Sequence, residues 1–413
     1  MKKINYLLFL IFGFEALAHE LKGPPHLDLE MTSEQYHQHL AGQRGHKFFK
    51  NDNPTITQAI NLGNRLSSWI KLVNEQRTPE NAIRLTSSAN RGGGIPIDRP
   101  NSYSPETIRE KLQLALNEMP QEMKTILTTG VKLPSTLPVD DQTFITFARQ
   151  IDRQYQTAAR YKSIDQWRSY YIQAANRDVR GFYYLSTNKI SADDLRDVEL
   201  IPENKRDAVK EALTGICFNS TSRLEDCQKA VAGSWRENTL AEFYKKFIKD
   251  AKKNWDSFFL IPKNARRKDI NWRGNTAEVP FNTPSIPKFV PYLQENIEDE
   301  FRFGDWIMRI NFGVFQNGPE LVFKPNVVPH VNGLGGNQIV MDSNQPIEEY
   351  ESQWTIRHEF GHVLGLPDCY HEFYDTNTNA YVNYQIDVTD LMCSRAGNMN
   401  ERIYLELKQA YGN

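Results

Sequence analysis

Two histidines and two acidic residues lie close together in the stretch RHEFGHVLGLPD. His358 and His362 are four residues apart, and on a helix this spacing places both imidazoles on one face. Two imidazoles so placed can bind one metal ion. Glu359 directly follows the first histidine, while Gly365 and Asp368 follow the second. The alternative is a polar helix end whose histidines are only hydrogen-bonded.

The order of these residues predicts a three-residue ligand set for one catalytic zinc ion. Glycine can adopt the left-handed conformation that ends a helix, and Pro367 prevents the helix from resuming after Gly365. The chain can then turn back, so that Asp368 offers its carboxylate from a different direction. Two histidines and one carboxylate leave a fourth position open, as in catalytic rather than structural zinc sites. Glu359 then need not bind the metal and can take a proton from water.

The stretch HEFGHVLGLPD resembles the elongated signature HExxHxxGxxH/D of the metzincin zinc endopeptidases. With aspartate in the third ligand position, it is most similar over residues 354–394 to the snapalysins, which are small secreted bacterial neutral proteases. The later stretch TDLMCS resembles the methionine-containing turn of metzincins and places Met392 in that turn. The resemblance implies hydrolysis of peptide bonds, with the three zinc ligands as given above and Glu359 as the general base.

The resemblance also implies a fold, which is a twisted mixed sheet, an active-site helix carrying the two histidines, and a C-terminal subdomain. It covers roughly residues 257–413. In metzincins an edge strand borders the cleft and pairs with the extended substrate. The stretch PHVNGLGGNQIVMD, with a predicted strand at 337–341, is the candidate for this role, and an interior strand is the alternative. His330, in the same stretch, is expected to be a surface or core residue.

An insert, CYHEFYDTNTNAYVNYQIDVTDL, separates Asp368 from Met392 and is longer than the snapalysin pattern leads us to expect. His371 in this insert is a rival third ligand, although its offset does not match the pattern. The Asp- and Asn-rich part could bind Ca²⁺ through oxygen atoms, but it lacks EF-hand spacing, and a solvated loop is the alternative. Cys369 and Cys393 flank the insert, and a disulfide between them would tie the third ligand to the methionine turn.

The rest of the chain predicts an α+β protein whose first part is mainly helical. Apolar residues recur at helical spacing in the stretches 56–73, 105–120, 142–161, 163–176, 203–215 and 239–255. Short runs rich in β-branched and aromatic residues predict strands at 258–262, 277–281, 306–315 and 337–341, and a loop-rich tail ends in a helix at 400–411. We therefore expect a helical N-terminal domain at 53–256 and a metzincin-like peptidase domain at 257–413. Ser104 is the predicted N-cap of the helix that begins at Pro105.

The N-terminal residues MKKINYLLFLIFGFEALAHE combine a basic start, a short apolar segment and an A-L-A cleavage site. They predict a secretory signal peptide at 1–18, followed by a loose, histidine-rich leader at 19–52. An uncleaved anchor is the alternative. Four cysteines in an exported chain favour disulfides, and sequence proximity favours Cys217–Cys227 and Cys369–Cys393.

The composition excludes some other classes of protein. Lys and Arg total 49 and Asp and Glu total 51, which gives a net charge of −2 and argues against a nucleic-acid-binding protein. After residue 18 no apolar run is long enough to span a bilayer. The balance of polar and apolar residues is that of a soluble globular protein, and the signal peptide predicts that it is secreted or periplasmic.

The predicted function is therefore an exported zinc-dependent endopeptidase that acts on proteins or peptides. An exported zinc-binding or adhesion module without activity is one alternative, and Glu359 argues against it because such a protein needs no general base. A zinc amidase acting on cell-wall peptides is another. The helical domain could be a blocking pro-segment, a partner or substrate module, or a scaffold. Tyr404 is a candidate for stabilising the oxyanion, and Cys217 could block zinc only if it does not pair with Cys227.

Overall fold

A computed structural model describes residues 53–85, 94–325, 327–343, 350–394 and 397–412. The predicted signal peptide at 1–18 and leader at 19–52 lie outside these ranges. The described chain contains both helices and mixed sheets, so the prediction of an α+β protein is confirmed. No helix within the described ranges is both long and apolar enough to cross a membrane.

The helices of the described chain are α1 (Pro54–Asn74), α2 (Pro105–Glu118), α3 (Gln121–Thr128), α4 (Asp141–Asp165), α5 (Arg168–Ala174), α6 (Arg180–Thr187), α7 (Arg206–Thr221), α8 (Leu224–Arg236), α9 (Leu240–Asp256), α10 (Phe289–Leu293), α11 (Tyr350–Val363) and α12 (Glu401–Tyr411). A π-helical turn, Gln294–Glu298, continues α10. The helices α3, α6, α8 and α10 lie outside the stretches in which the sequence pattern predicted helices.

The strands are β1 (Asn101–Tyr103), β2 (Asn271–Arg273), β3 (Thr276–Asn282), β4 (Arg302–Phe303), β5 (Trp306–Gly313), β6 (Glu320–Lys324), β7 (His330–Val331), β8 (Gln338–Asp342), β9 (Tyr370–Asp375) and β10 (Ala380–Gln385). They form sheets with the orders β1–β10–β9, β2–β3–β5–β4 and β6–β8–β7. The pairs β3/β5 and β6/β8 are parallel, whereas β2/β3, β4/β5, β7/β8 and β9/β10 are antiparallel.

The chain divides into two compact units that are each built from separate segments. The first contains 103–166 and 267–364 together with the described part of 1–93. The second contains 94–102, 167–266 and 365–413. Both units therefore combine residues from the two sides of position 256, and the predicted division into a helical domain and a peptidase domain at that position stays a prediction.

Three helices of the first unit, α1, α2 and α4, begin at side-chain caps, and they pack through large apolar residues. Ser104 forms a capping box with Thr107 at the start of α2, which confirms the predicted N-cap. The amphipathic pattern of α1 buries Trp69 completely, and its indole meets the edge of Phe144 on α4 at a centroid distance of 5.1 Å. Burial of such aromatic rings, rather than helix propensity, holds these helices together.

The first unit contains two mixed sheets that a backbone hydrogen bond connects. The crossover from β3 through α10 to β5 gives a parallel pair in full register, from Thr276 opposite Ile307 to Asn282 opposite Gly313. The backbone N–H of Asn282 donates to the carbonyl of Pro319 at 2.7 Å, just before β6 begins. The mixed sheet that the sequence led us to expect is therefore present, although nothing in its topology assigns the fold to a particular family.

The second unit joins helices from the middle of the chain to the C-terminal residues. The helices α6 to α9 share one apolar core, and the predicted disulfide Cys217–Cys227, with a Cα–Cα distance of 5.7 Å, fastens α7 to α8. This confirmed pairing leaves Cys217 with no thiol for blocking a zinc ion. The backbone N–H of Ile261 donates to Glu406 of α12 at 2.6 Å.

The strand predicted at 258–262 is wrong, because this run forms turns rather than a strand. Phe258 and Ile261 are only 2% and 3% exposed, so burial in the core explains why the run is apolar. The backbone N–H groups of Phe259 and Leu260 both donate to the carbonyl of Asp256 at the end of α9. The chain thus satisfies its backbone locally and has no need of a strand partner.

Candidate metal centre

The described residues contain one group of imidazole and carboxylate side chains suited to a metal ion, and it lies on α11. One donor atom each from His358, Glu359 and His362 lies within 4.8 Å of the others. The two imidazole centroids are 4.7 Å apart and their planes cross at 86°. His358 and Glu359 are buried and His362 is half-buried. The structure thus brings together the two histidines and the glutamate as their spacing on a helix predicts.

The position of α11 is set by its apolar residues and by the hydrogen bonds of one arginine, Arg357. Phe360 is fully buried and meets the edge of Phe301 at a centroid distance of 5.5 Å. Arg357, next to the first histidine, donates to Glu300 at 3.1 Å and to the amide oxygen of Asn296 at 3.2 Å. Asn296 belongs to the π-helical turn after α10, and such turns occur often at functional sites. These contacts of Arg357 were not predicted from the sequence.

The loop between β7 and β8 contacts the C-terminal end of α11. The backbone N–H of Gly335 donates to the carbonyl of His362 at 2.8 Å, which satisfies one of the free carbonyls at this helix end. Gly333 and Gly335 have φ angles of +114° and +73°, and glycine adopts such values without strain. The glycines of the stretch therefore shape a loop that holds the second histidine.

The strand predicted at 337–341 exists as β8, but its expected role as the substrate-pairing edge strand is wrong. β8 lies between β6 and β7, so neighbouring strands already occupy both of its hydrogen-bonding edges. The interior alternative is the correct one. β7, which contains the exposed His330, is the end strand of this sheet and pairs antiparallel with β8.

Gly365 follows the end of α11, as the sequence predicted for a glycine at this position. Its φ of +82° is left-handed, and a Cβ at this position would lie 2.8 Å from the Cγ2 of Ile261 and 2.9 Å from the carbonyl oxygen of Ala265. Asp368 follows at the start of the second unit's C-terminal segment and is half-buried. The group on α11 does not include it, and its role as third ligand stays a prediction.

Met392 lies in a buried turn, and both of its backbone polar groups are hydrogen-bonded. Its backbone N–H donates to the carboxylate of Asp390 at 2.8 Å, and its carbonyl accepts from the N–H of Cys369 at 3.1 Å. The predicted disulfide Cys369–Cys393 is confirmed, with a Cα–Cα distance of 4.4 Å. It ties the residue after Asp368 to the residue after Met392. The two sulfurs also lie near Asp390, but a disulfide provides no thiolate for a metal there.

Asp390 organises this turn and was missed by sequence reasoning. It is fully buried and accepts from the guanidinium of Arg402 at 2.7 Å and from the amide of Asn400 at 3.1 Å. Its position two residues before Met392, with an arginine in the next helix, is the signal that could have identified it. Tyr404, two residues after that arginine, is half-buried, and its role in stabilising an oxyanion stays a prediction.

The insert after Asp368 contains a β-hairpin, and within its Asp- and Asn-rich part only the exposed turn at 376–379 is the solvated loop that we expected. β9 pairs with β10 from Tyr370 opposite Gln385 to Asp375 opposite Ala380. At the hairpin turn the Asp375 carboxylate accepts from the N–H of Asn377 at 2.9 Å and from the hydroxyl of Thr378 at 3.0 Å. This use of the carboxylate explains the Asp- and Asn-rich composition as turn chemistry. Calcium binding by this segment stays a prediction.

His371 belongs to a separate polar cluster of the second unit and is not part of the group on α11. It is 5% exposed, stacks on Phe373 at a centroid distance of 5.2 Å, and faces the edge of Tyr384. The Tyr384 hydroxyl donates to Asp178 at 2.9 Å, and Arg180 donates to the same carboxylate. The rival assignment of His371 as third ligand therefore gains no support from the site on α11.

Burial and charge shift the pKa values of this cluster. Burial opposes ionisation of Asp178, but the charge and hydrogen bonds of Arg180 outweigh it and hold the pKa of the carboxyl below its usual range. Burial raises the pKa of Tyr384 well above its usual value, and Asp178 adds to that shift. Burial also lowers the pKa of His371 to about 4, so the imidazole is neutral at physiological pH.

No protein-family model, no curated protein and no solved structure matches this chain. The resemblance to metzincins therefore rests on the residues between 354 and 394 alone. Within that stretch the helical histidine pair, the left-handed Gly365 and the buried turn at Met392 are features of the structure as well as of the sequence.

Proposed function

We propose that this protein is an exported zinc-dependent endopeptidase of metzincin type. The observation that carries the proposal is the group on α11, in which His358, His362 and Glu359 present their donor atoms to one small volume. Two disulfides support an extracellular or periplasmic location.

The residues present fit a zinc ion. Imidazole nitrogens and carboxylate oxygens are ligands that zinc prefers, and an i, i+4 histidine pair on one helix face is a frequent source of two of them. His358 and His362 would hold the ion, and Asp368 would complete the protein ligands after the turn at Gly365. When bound, zinc would lower the pKa of a water molecule and polarise the scissile carbonyl.

Glu359 is the residue to which we assign the proton transfers. The residue is 6% exposed and its carboxylate lies beside both imidazoles, where it can take the proton of the attacking water and return it to the leaving amine. β7 is the strand that we assign to the substrate, because among the described residues no strand pairs with its outer edge, and its loop donates a hydrogen bond to the carbonyl of His362. An extended peptide can add to such an edge through main-chain hydrogen bonds.

We also propose that the helical residues 167–256 are a permanent scaffold rather than a removed pro-segment. Within the second unit they pack on the C-terminal hairpin, and the hydroxyl of Tyr384 accepts from the backbone N–H of Val179 at 3.0 Å. Asp178 bonds to the same hydroxyl, and β1 adds a third strand beside β10. Sequencing of the N-terminus of the mature protein tests this proposal, since a start near residue 257 would contradict it.

The proposed activity is tested by metal removal and return. The purified protein is expected to contain about one zinc per chain, the content of a single-ion catalytic site, and to cleave unstructured casein. A chelator should abolish cleavage, and added zinc should restore it. Zinc without cleavage of any peptide would favour the inactive binding module, and release of cell-wall peptides without casein cleavage would favour the amidase. A protein that binds no zinc would contradict all three.

A further inference from the structure

Trp354 lies directly on the first histidine of the proposed metal centre. The centroid of its ring system is 4.9 Å from that of His358, and the two planes differ by only 26°, which is a stacked arrangement. Trp354 is 7% exposed and His358 is 4% exposed, so the pair is enclosed. Trp354 precedes His358 by four residues, as His358 precedes His362, and the three aromatic rings therefore follow one another along a single helix face.

The ring plane of His358 matters because a metal must lie in that plane, along the lone pair of a ring nitrogen. An imidazole on a helix can turn about its outer side-chain torsion, which is broad and has no sharply staggered wells. The stacked indole restricts this rotation, since any large turn would drive the imidazole edge into the indole face. The ring of His362 stands at 86° to that of His358, so the two histidines are not stacked on each other.

We propose that Trp354 is a positioning residue that fixes the ring plane of His358 for metal binding. The inference rests on the proposed zinc site and adds to it a residue that the HExxH signature does not contain. It follows from the stacked geometry and from the burial of both rings. Residues outside the ligand set that orient a ligand commonly change metal affinity by about 10- to 100-fold when they are replaced.

The same helix offers a matched control. Phe360 is fully buried on α11 and packs on Phe301, and the structure records no ring contact between it and either histidine. A Phe360→Leu variant should lose core packing without freeing the ring of His358. If Trp354 acts only through the stability of α11, the Trp354 and Phe360 variants should behave alike. If it orients His358, only the Trp354 variants should change the metal site.

The test compares zinc affinity and cobalt spectra of the full-length protein and its variants. Zinc affinity is measured by competition with a chelator, and the d–d absorption of bound Co²⁺ reports the ligand geometry. Trp354→Leu is expected to lower zinc affinity about 10-fold and to change the cobalt spectrum. Trp354→Phe, which keeps a smaller ring over His358, should show a smaller loss, and Phe360→Leu should keep wild-type affinity and spectrum.

The possible results distinguish failure of the role proposed for Trp354 from failure of the proposed zinc site. Wild-type affinity and spectrum in Trp354→Leu would overturn the inference while leaving the zinc site intact. If that variant does not fold, Trp354→Phe decides, because an affinity and a cobalt spectrum identical to those of the wild type would overturn the inference equally. An equal loss in Phe360→Leu and Trp354→Leu would also overturn it. Failure of the wild-type protein to bind zinc or cobalt would contradict the proposed function itself.

Discussion

His371 gives the structure a pH dependence whose size can be worked out. The imidazole is 5% exposed and lies among the rings of Phe258, Phe373 and Tyr384. Burial lowers its pKa from 6.5 to about 4. The negative charge of Asp178 opposes this shift, while the positive charges of Arg177 and Arg180 add to it. The folded protein therefore keeps His371 neutral at pH values where the unfolded chain protonates it.

The direction and size of the effect on stability follow from linkage. Above pH 6.5 both states are neutral at His371, and the group makes no pH-dependent contribution. Between pH 6.5 and 4 the unfolded chain binds a proton that the folded protein does not, so the free energy of unfolding falls as the pH falls. A shift of this size corresponds to about 3 kcal/mol, most of it lost by the time the pH reaches the folded pKa.

Urea unfolding of the metal-free protein between pH 7 and pH 4 measures this loss. The informative quantity is the difference in unfolding free energy between the wild type and His371→Gln, because titrations common to both proteins cancel. We expect that difference to shrink by about 3 kcal/mol from pH 7 to pH 4. Val382→Ala, which removes buried methyl groups from β10 and no titratable group, should give a difference that does not change with pH. A pH-independent difference for His371→Gln would contradict the lowered pKa of His371 in the folded protein.

Three further predictions concern the second unit, and each is measured by urea unfolding at pH 7. Replacing Cys369 and Cys393 together by serine opens a loop with a sequence separation of 24 and should cost about 3 kcal/mol; unchanged stability would contradict this, and full reduction of the wild type should cost more because it also breaks Cys217–Cys227. Tyr384→Phe removes the buried hydroxyl that bonds Asp178 and Val179, and should cost about 1–3 kcal/mol; no loss would mean that water replaces it. Asp390→Asn weakens the bonds to the methionine turn and should cost on the order of 3 kcal/mol, and unchanged stability would contradict its organising role.

The helix α11 and its C-terminal end could be predicted because the sequence signals for both are local. The i, i+4 spacing of His358 and His362 requires only a helix, and Gly365 with Pro367 requires only a helix end. The helix cap at Ser104 and both disulfides, whose cysteines lie close in sequence, were predictable for the same reason. Each of these features depends on residues within a short stretch of chain.

Two of the features that the sequence did not predict depend on distant contacts. The run at 258–262 is apolar because the core buries it, and composition alone does not distinguish such a run from a strand. The position of β8 between two partners depends on strand order, which local pattern does not contain. The hairpin of β9 and β10 did carry a local signal, with aromatic and β-branched residues flanking a turn rich in Asp and Asn.

Residues that act through a distant partner form the last group. Asp390 is understood only once Arg402 is placed beside it, and Arg357 only once Glu300 and Asn296 are known. Trp354 could have been noticed from its spacing to His358, but the same spacing is typical of ordinary core aromatics. Its contact with the imidazole becomes visible only in the structure.

The most direct test of the central claim is the rate of casein cleavage by Glu359→Gln, compared with the wild type at equal zinc content. Glutamine is nearly isosteric with glutamate but cannot accept the proton of the attacking water. We predict that the variant keeps its zinc and its fold while cleavage falls by at least about 100-fold, the typical contribution of a general base. Cleavage at the wild-type rate in a variant that still holds zinc would contradict it.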